Sequence, residues 1–382
     1  MTLFNYILWD FNPDLFTIPG LDHAVRWYGL LFALAFLFGQ QIFFHIFKKE
    51  GQPEKDVEKL TVYMVLATVI GARLGHVLFY EPEKYLPHPL DIFKIWEGGL
   101  ASHGAAAGIL FAIYLYCRKN KKKGQTYLWT LDRIVIIVAL AGFFIRMGNF
   151  MNSEILGKPT DSNYGVVFTR SSAQGLEYFS RGAIESVEVE ENKGQKSSNQ
   201  KNDLTTSPLS TEKNLVPLTL KATFADPKYT EKDVKNYLDD RVSNWFKEEN
   251  YITENLTIDP NQSLEYSLSR NNQGQIVANL KVYGIVRHAA QLYESLSCLL
   301  LFFILFAAWN RKRKDLPQGL LLGIFLIYIF GLRFFYEFLK ENQVAFENNL
   351  PLNMGQWLSI PLVIAGIFLV LRAVKKEPDI KS

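Results

Sequence analysis

Residues 143–157 read FFIRMGNFMNSEILG, and they end an apolar run that includes VIIVALAGFFI at 135–145. A helix of about 20 apolar residues spans a bilayer core of about 30 Å. This run is long enough, yet it stops at an arginine, two asparagines, a serine and a glutamate. Counting it, seven such runs lie near 26–47, 59–80, 101–117, 128–150, 289–309, 318–339 and 355–374, the third being short. In lipid each must be helical, because every backbone polar group has to be satisfied within the segment. The predicted fold is an all-α polytopic membrane protein with seven transmembrane helices.

The 382 residues leave room for a second domain. Hydrophobic residues make up 48% of the chain, with 29 Phe, 18 Tyr and 7 Trp, and the long apolar blocks flank a polar central stretch. A net charge of +3 gives no argument for a nucleic-acid partner. Cys117 and Cys298 each lie in or at the end of an apolar run and build no disulfide framework. The start, MTLFNYILWDFNPDLF, has neither a basic n-region nor a small-residue cleavage site, so no cleaved signal peptide is read.

Basic residues orient the bundle. Lys48, Lys49, Lys55 and Lys59 follow the first run, Arg118, Lys119 and Lys121 to Lys123 the third, Arg311 to Lys314 the fifth, and Arg372, Lys375 and Lys376 the seventh. The short connections on the other side carry only Lys84, Lys94 and Lys340. The positive-inside rule then places the N-terminus and the polar insert outside and the C-terminus in the cytoplasm.

The expected domains are 1–170 with spans one to four, an extracytoplasmic insert at 171–285, and 286–382 with spans five to seven and a tail. In the insert, 188–214 reads as a flexible linker. VPLTLKATFA, SLEYSLSR and QIVANLKVYGIV alternate like strands, and YTEKDVKNYLDDRVSNWFKEE has helical periodicity, so a small α+β domain of βαββ type follows. It holds no metal-ligand cluster, nucleophile constellation or phosphate loop, and reads as a spacer or docking module.

With this orientation the polar residues of every span fall at its outer end. Tyr28 opens span one; Arg73 and His76 lie in the outer half of span two, and His103 starts span three. Arg146, Asn149, Asn152 and Glu154 end span four, and His288, Gln291, Tyr293 and Glu294 start span five. Arg333 and Glu337 lie in span six, and Asn353 and Gln356 start span seven. The inner halves read as almost purely apolar, so one polar cavity opening toward the outer leaflet is expected. Ionisable groups in spans are costly and mark functional candidates. Arg146, Asn149 and Asn152 step by three and share a helix face. Arginine suits phosphate, because its planar fork donates two parallel hydrogen bonds and stays charged. Arg73, Arg146 and Arg333 therefore point to a bound anion, and the anion at that depth is a phospholipid head group. Structural readings stand beside these: Arg333 neutralised by Glu337 and Arg146 by Glu154, His103 as a cap, Tyr28 with Trp27 in an aromatic belt, and glycines as close-packing sites.

At this point RMGNFMNSEILG resembles the signature of the prolipoprotein diacylglyceryl transferases. RWYG, ASHGA, RHAAQLYE, and RFFYEF followed by NMGQWLSIP match further family segments in order, covering about 25–170 and 285–375. Ile145, Ser153 and Ala105 stand where the family has glycine, and Ala289 and Ala290 where it has Pro-Ser. The insert is longer than the family leads one to expect. The resemblance implies transfer of the diacylglyceryl group of phosphatidylglycerol to a cysteine thiol of a prolipoprotein at the bacterial inner membrane, with no cofactor or metal. It implies His103, Arg146 and Arg333 as catalytic groups. Tyr28, Arg73, Asn149, Asn152, Glu154, Gly157, Tyr293 and Glu337 are implied in substrate binding. The chemistry is consistent: a thiol needs a base or a positive field, and a phosphate leaving group needs fixed cations. Two other classes compete. A transporter or channel would carry polar residues through to the inner side, and a lipid-binding anchor would leave His103 and the asparagines without a task.

Overall fold

The computed structural model describes residues 6–18, 23–94, 99, 101–162, 164–191, 214–259, 262–341 and 350–375. Strands β1 Ile7–Trp9, β2 Asp14–Ile18 and β3 His23–Arg26 precede helices α1 Trp27–Lys49, α2 Glu54–Phe79, a single turn α3 Pro82–Tyr85, α4 Ser102–Asn120 and α5 Tyr127–Met151. Then come β4 Val166–Phe168, α6 Arg170–Phe179, β5 Ile184–Glu191 and β6 Leu215–Phe224. Three short helices, α7 Glu231–Tyr237, α8 Ser243–Glu248 and α9 Asn250–Thr253, lead to β7 Leu256–Thr257, β8 Tyr266–Arg270 and β9 Ile276–Ile285. Helices α10 Ala290–Lys312, α11 Leu320–Tyr336 and α12 Met354–Lys375 follow. Among the described residues, α1, α2, α5, α10, α11 (with the turn to Leu339) and α12 are long and apolar enough to cross a membrane, which makes this a polytopic membrane protein.

Residues group into two compact units. One comprises Leu31–Ile145, Glu294–Phe335 and Asn349–Ser382; the other comprises Met1–Leu30, Arg146–Tyr293 and Tyr336–Asn348.

In the helical unit, α4 is the expected third crossing but is not among the six apolar helices. Its first turns, SHGAAAG, carry small residues because it packs backbone to backbone on α2. Gly71 and Gly75 of α2 face Gly104 and Gly108 of α4. A Cβ on Gly71 would overlap the Gly104 carbonyl, one on Gly75 would stand 2.7 Å from the Gly104 Cα, and one on Gly108 2.6 Å from the Ala67 carbonyl oxygen. Small residues four apart on both helices are how membrane helices approach closely. Gly104→Leu is therefore expected to cost more than the about 1–3 kcal/mol of ordinary overpacking, since backbone, not side chain, must give way. Thermal unfolding in detergent reads this; Gly331 has nothing within 4 Å of its would-be Cβ, so Gly331→Ala should not lower the midpoint.

The first two turns of α5 depart from the apolar interior expected there. Arg133 and Glu50 bury both side chains and pair at 2.9 Å, with Trp309 Nε1 donating to Glu50 Oε1 at 2.6 Å and the guanidinium 4.6 Å above the Trp129 ring. Asp132 accepts from the backbone amides of Gly319 (2.6 Å) and Leu322 (2.9 Å), fixing the start of α11. Asp56 takes Lys123 at 2.9 Å and Gln125 at 2.9 Å. Burial is tolerable here because each charge meets an opposite charge or several donors.

The other unit is built on an antiparallel sheet in the order β5-β6-β9-β7, with β8 also on β9. In register, Leu218 faces Val282, Leu220 faces Leu280 and Ala222 faces Ala278. These side chains and Leu176, Val234, Leu238, Phe246 and Ile252 of the helices form one core. The alternation read in VPLTLKATFA and QIVANLKVYGIV is what puts those side chains on one face. The linker expectation is corrected at its start: Glu188 to Glu191 continue β5, paired with Lys221 to Leu218. Acidic residues on the outward positions, with Glu190 on Lys221 at 2.6 Å, hid that alternation. The rest of that expected linker, 192–213, lies outside the described residues. This unit also takes in β1, which pairs in parallel with β4, and the β2–β3 hairpin.

Candidate functional site

The end of α5 carries the arrangement that the opening stretch calls for. The amide of Ser153 donates to the Phe150 carbonyl at 3.1 Å and that of Glu154 to the Asn149 carbonyl at 2.9 Å. This crossed pair is a Schellman cap, which needs a left-handed residue at its turn. Ser153 supplies it at φ 54°, and Ile155 follows at φ 56°. The turn throws Glu154 back over its own helix. One carboxylate oxygen accepts from Asn149 and the other from Asn152, both at 3.0 Å, while Asn149 Oδ1 accepts from Arg146 at 3.3 Å. Gln291 of α10, itself buried, donates to the Glu154 carbonyl. Arg146 is thus tied into a chain of amides that ends in a carboxylate.

Ser153 occupies the turn where glycine carries no steric cost, and its hydroxyl is buried without a partner among the described residues. Ser153→Gly removes both penalties and is expected to stabilise the protein by about 1 kcal/mol, read as a raised unfolding midpoint.

Tyr28 joins this cluster because Gly148 leaves room. A Cβ at 148 would lie 2.8 Å from the Tyr28 ring. Gly157 sits where a Cβ would overlap the His288 carbonyl. Chain contact there is continuous: Lys158 N–H donates to the Leu339 carbonyl at 2.7 Å and His288 N–H to the Lys158 carbonyl at 3.0 Å. Gly157 is thus a close-approach position, and its own carbonyl accepts from Arg287 at 3.0 Å. Tyr293 places its hydroxyl 3.4 Å from His288 Nδ1. Burial pushes the His288 imidazole below its usual pKa, favouring the neutral ring. Glu337 lies 3.6 Å from the buried Lys340.

The structure thus brings Tyr28, Arg146, Asn149, Asn152, Glu154, Gly157, Tyr293 and Glu337 into one unit, and Arg73, His103 and Arg333 into the other. Arg73 is engaged with backbone carbonyls. It is buried and donates to the carbonyls of Asp91 (2.8 Å), Ile92 (2.8 Å), Lys94 (3.2 Å) and Gly99 (3.4 Å), with its guanidinium 4.7 Å above the Tyr85 ring. His103 is the second residue of α4, exposed, with no side-chain hydrogen bond among the described residues. Arg333 is exposed in the last turn of α11.

Sequence reasoning passed over Arg287 and Lys340. Arg287 is 5% exposed and reaches Gly157, the Glu254 carbonyl and the Glu341 carboxylate. Its signal was its place at the head of RHAAQLYE. Lys340 had none, because only folding brings Gly157 beside it.

The prolipoprotein diacylglyceryl transferase family model matches residues 13–372. A phosphatidylglycerol–prolipoprotein diacylglyceryl transferase of Porphyromonas gingivalis is 34% identical over 381 residues, covering 98% of this chain and 97% of that protein. Proteins of the same name from Chloroherpeton thalassium and Tolumonas auensis are each 33% identical, covering 97% of this chain and 96% and 99% of their own lengths. With the match running from the start of the β2–β3 hairpin to the last turns of α12, the chain belongs to the prolipoprotein diacylglyceryl transferase family.

Proposed function

We propose that this chain transfers the diacylglyceryl group of phosphatidylglycerol to the thiol of an acceptor cysteine in a prolipoprotein. The sulfur forms a bond to the glycerol carbon that carries the phosphate ester. The carbon–oxygen bond breaks, its electron pair leaves with glycerol 1-phosphate, and the thiol proton passes to a base. The observation that carries this reading is the Arg146–Asn149–Glu154–Asn152 chain at the end of an apolar helix. It holds a permanent cation and amide donors where an alkyl-tailed phosphate would present its head group. Arg333 is the second cation in the reading and His103 the thiol base, being exposed and uncommitted. Tyr28 donates to the head group, and Arg73 positions the loop whose carbonyls it ties. Glu337, Gly157 and Tyr293 shape the site from the side of Lys340 and His288.

An apolar cavity of about 250 Å³ between α1, α2, α4 and α5, lined by Phe36, Met64, Ile109 and Ile137 among others, suits an acyl chain. Ile145 is among its lining residues. Seven crossings, with α4 the seventh, an outer N-terminus, a cytoplasmic C-terminus and an extracytoplasmic β-rich insert complete the reading. Its support is the basic residues at the ends of α1, α4, α10 and α12. The site would then face the outer leaflet of the inner membrane.

The test uses purified protein, phosphatidylglycerol labelled in its diacylglyceryl part and a peptide with one acceptor cysteine. Label on the peptide with stoichiometric glycerol phosphate is expected. His103→Gln should keep a low rate that rises with pH as the thiol ionises unaided, near pH about 8.5. A pH-independent residual rate would remove His103 as the base, and no transfer by well-folded wild-type protein would overturn the reading.

A further inference from the structure

The turn that ends α5 carries a backbone cost that its own residues do not remove. Ser153 and Ile155 both sit in the left-handed region, at φ 54° and 56°, and neither is glycine. Such residues persist only where their surroundings over-determine them. The cap accounts for Ser153, because its two hydrogen bonds close on Phe150 and Asn149 of the same helix. Ile155 lies beyond that cap, so what holds it must come from elsewhere in the chain.

It comes from one short segment, Arg287 to Gln291, between the end of β9 and the first turn of α10. The buried Gln291 donates from Nε2 to the Glu154 carbonyl, which belongs to the peptide plane leading into Ile155. Because that plane is rigid, fixing its oxygen also constrains φ of Ile155. Arg287, buried as well, donates to the Gly157 carbonyl at 3.0 Å on the far side of the turn. Between these two bonds Leu156 is buried in a cluster that includes Phe150 and Ala289. At Gly157 a Cβ would overlap the His288 carbonyl, so the two backbones touch. The segment 287–291 therefore clamps the turn at both of its ends.

The clamp bears on the chemistry through Glu154. Gln291 takes the carbonyl of that residue, and the carboxylate accepts from Asn149 and Asn152, both at 3.0 Å. Asn149 in turn accepts from Arg146 at 3.3 Å. A functional group keeps its productive geometry only when the residues behind it are themselves locked. Resting on the transferase reading, we propose that Gln291 and Arg287 are positioning residues. They hold the 154–157 turn so that Glu154 keeps Asn149 and Arg146 aligned on the lipid phosphate, and they act on neither the phosphate nor the thiol. The Arg287 guanidinium also reaches the Glu341 carboxylate at 3.0 Å, which ties the clamp to the chain beside Lys340.

Two measurements on the full chain in detergent test this. Hydrogen exchange read by mass spectrometry reports on the turn itself. In Gln291→Leu the amides of 153–157 should exchange about tenfold faster than in wild type, the effect of losing one buried hydrogen bond, while β9 stays protected. Transfer kinetics report on Arg146. Gln291→Leu should lower kcat about tenfold and leave KM for the peptide within about twofold. Added to Arg146→Ala it should lower kcat by less than about twofold further, because the group it positions is gone. A residue that only supports the fold would instead lower the rate equally in both backgrounds. Arg287→Lys keeps the charge and a donor without the planar fork, and should move exchange and kcat in the same directions. That variant decides the matter should Gln291→Leu not fold. Unchanged exchange at 153–157 in both variants, or an undiminished loss in the Arg146→Ala background, overturns the proposal. If wild type catalyses no transfer yet the exchange depends on Gln291, the transferase reading fails and the clamp stands.

Discussion

Arg146→Ala is expected to lower the rate of diacylglyceryl transfer by about 10²–10³-fold, the effect of removing one preorganised group that stabilises transition-state charge. Asn149 accepts from the guanidinium at 3.3 Å and itself donates to Glu154 at 3.0 Å, so the cation is already placed when charge develops on the leaving phosphate. The loss should appear mainly in kcat, since charge on the ester oxygen grows as the bond breaks. Arg146→Lys keeps the charge without the planar fork and should fall between alanine and wild type. The measurement is label transfer at saturating lipid and peptide. A kcat within threefold of wild type for Arg146→Ala would remove the arginine from the chemistry, leaving the polar chain as a helix terminus only.

Glu50→Gln is expected to give the largest loss of stability. Glu50 and Arg133 bury both side chains in a bidentate pair, and Trp309 donates to the same carboxylate. Removing the negative charge leaves a buried guanidinium uncompensated, which costs about 3–5 kcal/mol. Thermal unfolding in detergent, followed by tryptophan fluorescence, reads it through Trp309 and Trp129 at the pair itself. Replacing both partners, Glu50→Leu with Arg133→Met, should recover most of the midpoint, because no charge is then stranded. A midpoint for Glu50→Gln equal to wild type would show that the pair contributes no net stability.

The apolar helices and strands β6, β8 and β9 were legible in the sequence, whereas the second half of β5 was not. Both follow from local patterns, a run of apolar residues for one and strict alternation for the other. It also determined which side chains had to be explained, since an arginine and two asparagines at the end of VIIVALAGFFI have no place in lipid. Motif order made the family legible from the same residues. Tertiary structure decided the pairing. Arg133 and Glu50 are 83 positions apart, and nothing in the periodicity of either helix indicates that they meet. Arg73 reaches backbone carbonyls 18 to 26 residues away, contacts that its place in the helix pattern does not announce. A left-handed turn at Ser153 makes Glu154 the acceptor for two asparagines, which no local pattern indicated. Secondary structure is set by interactions within a few residues. The partner of a buried charge is set by which helices pack together, and that packing depends on shapes such as the glycine faces of α2 and α4.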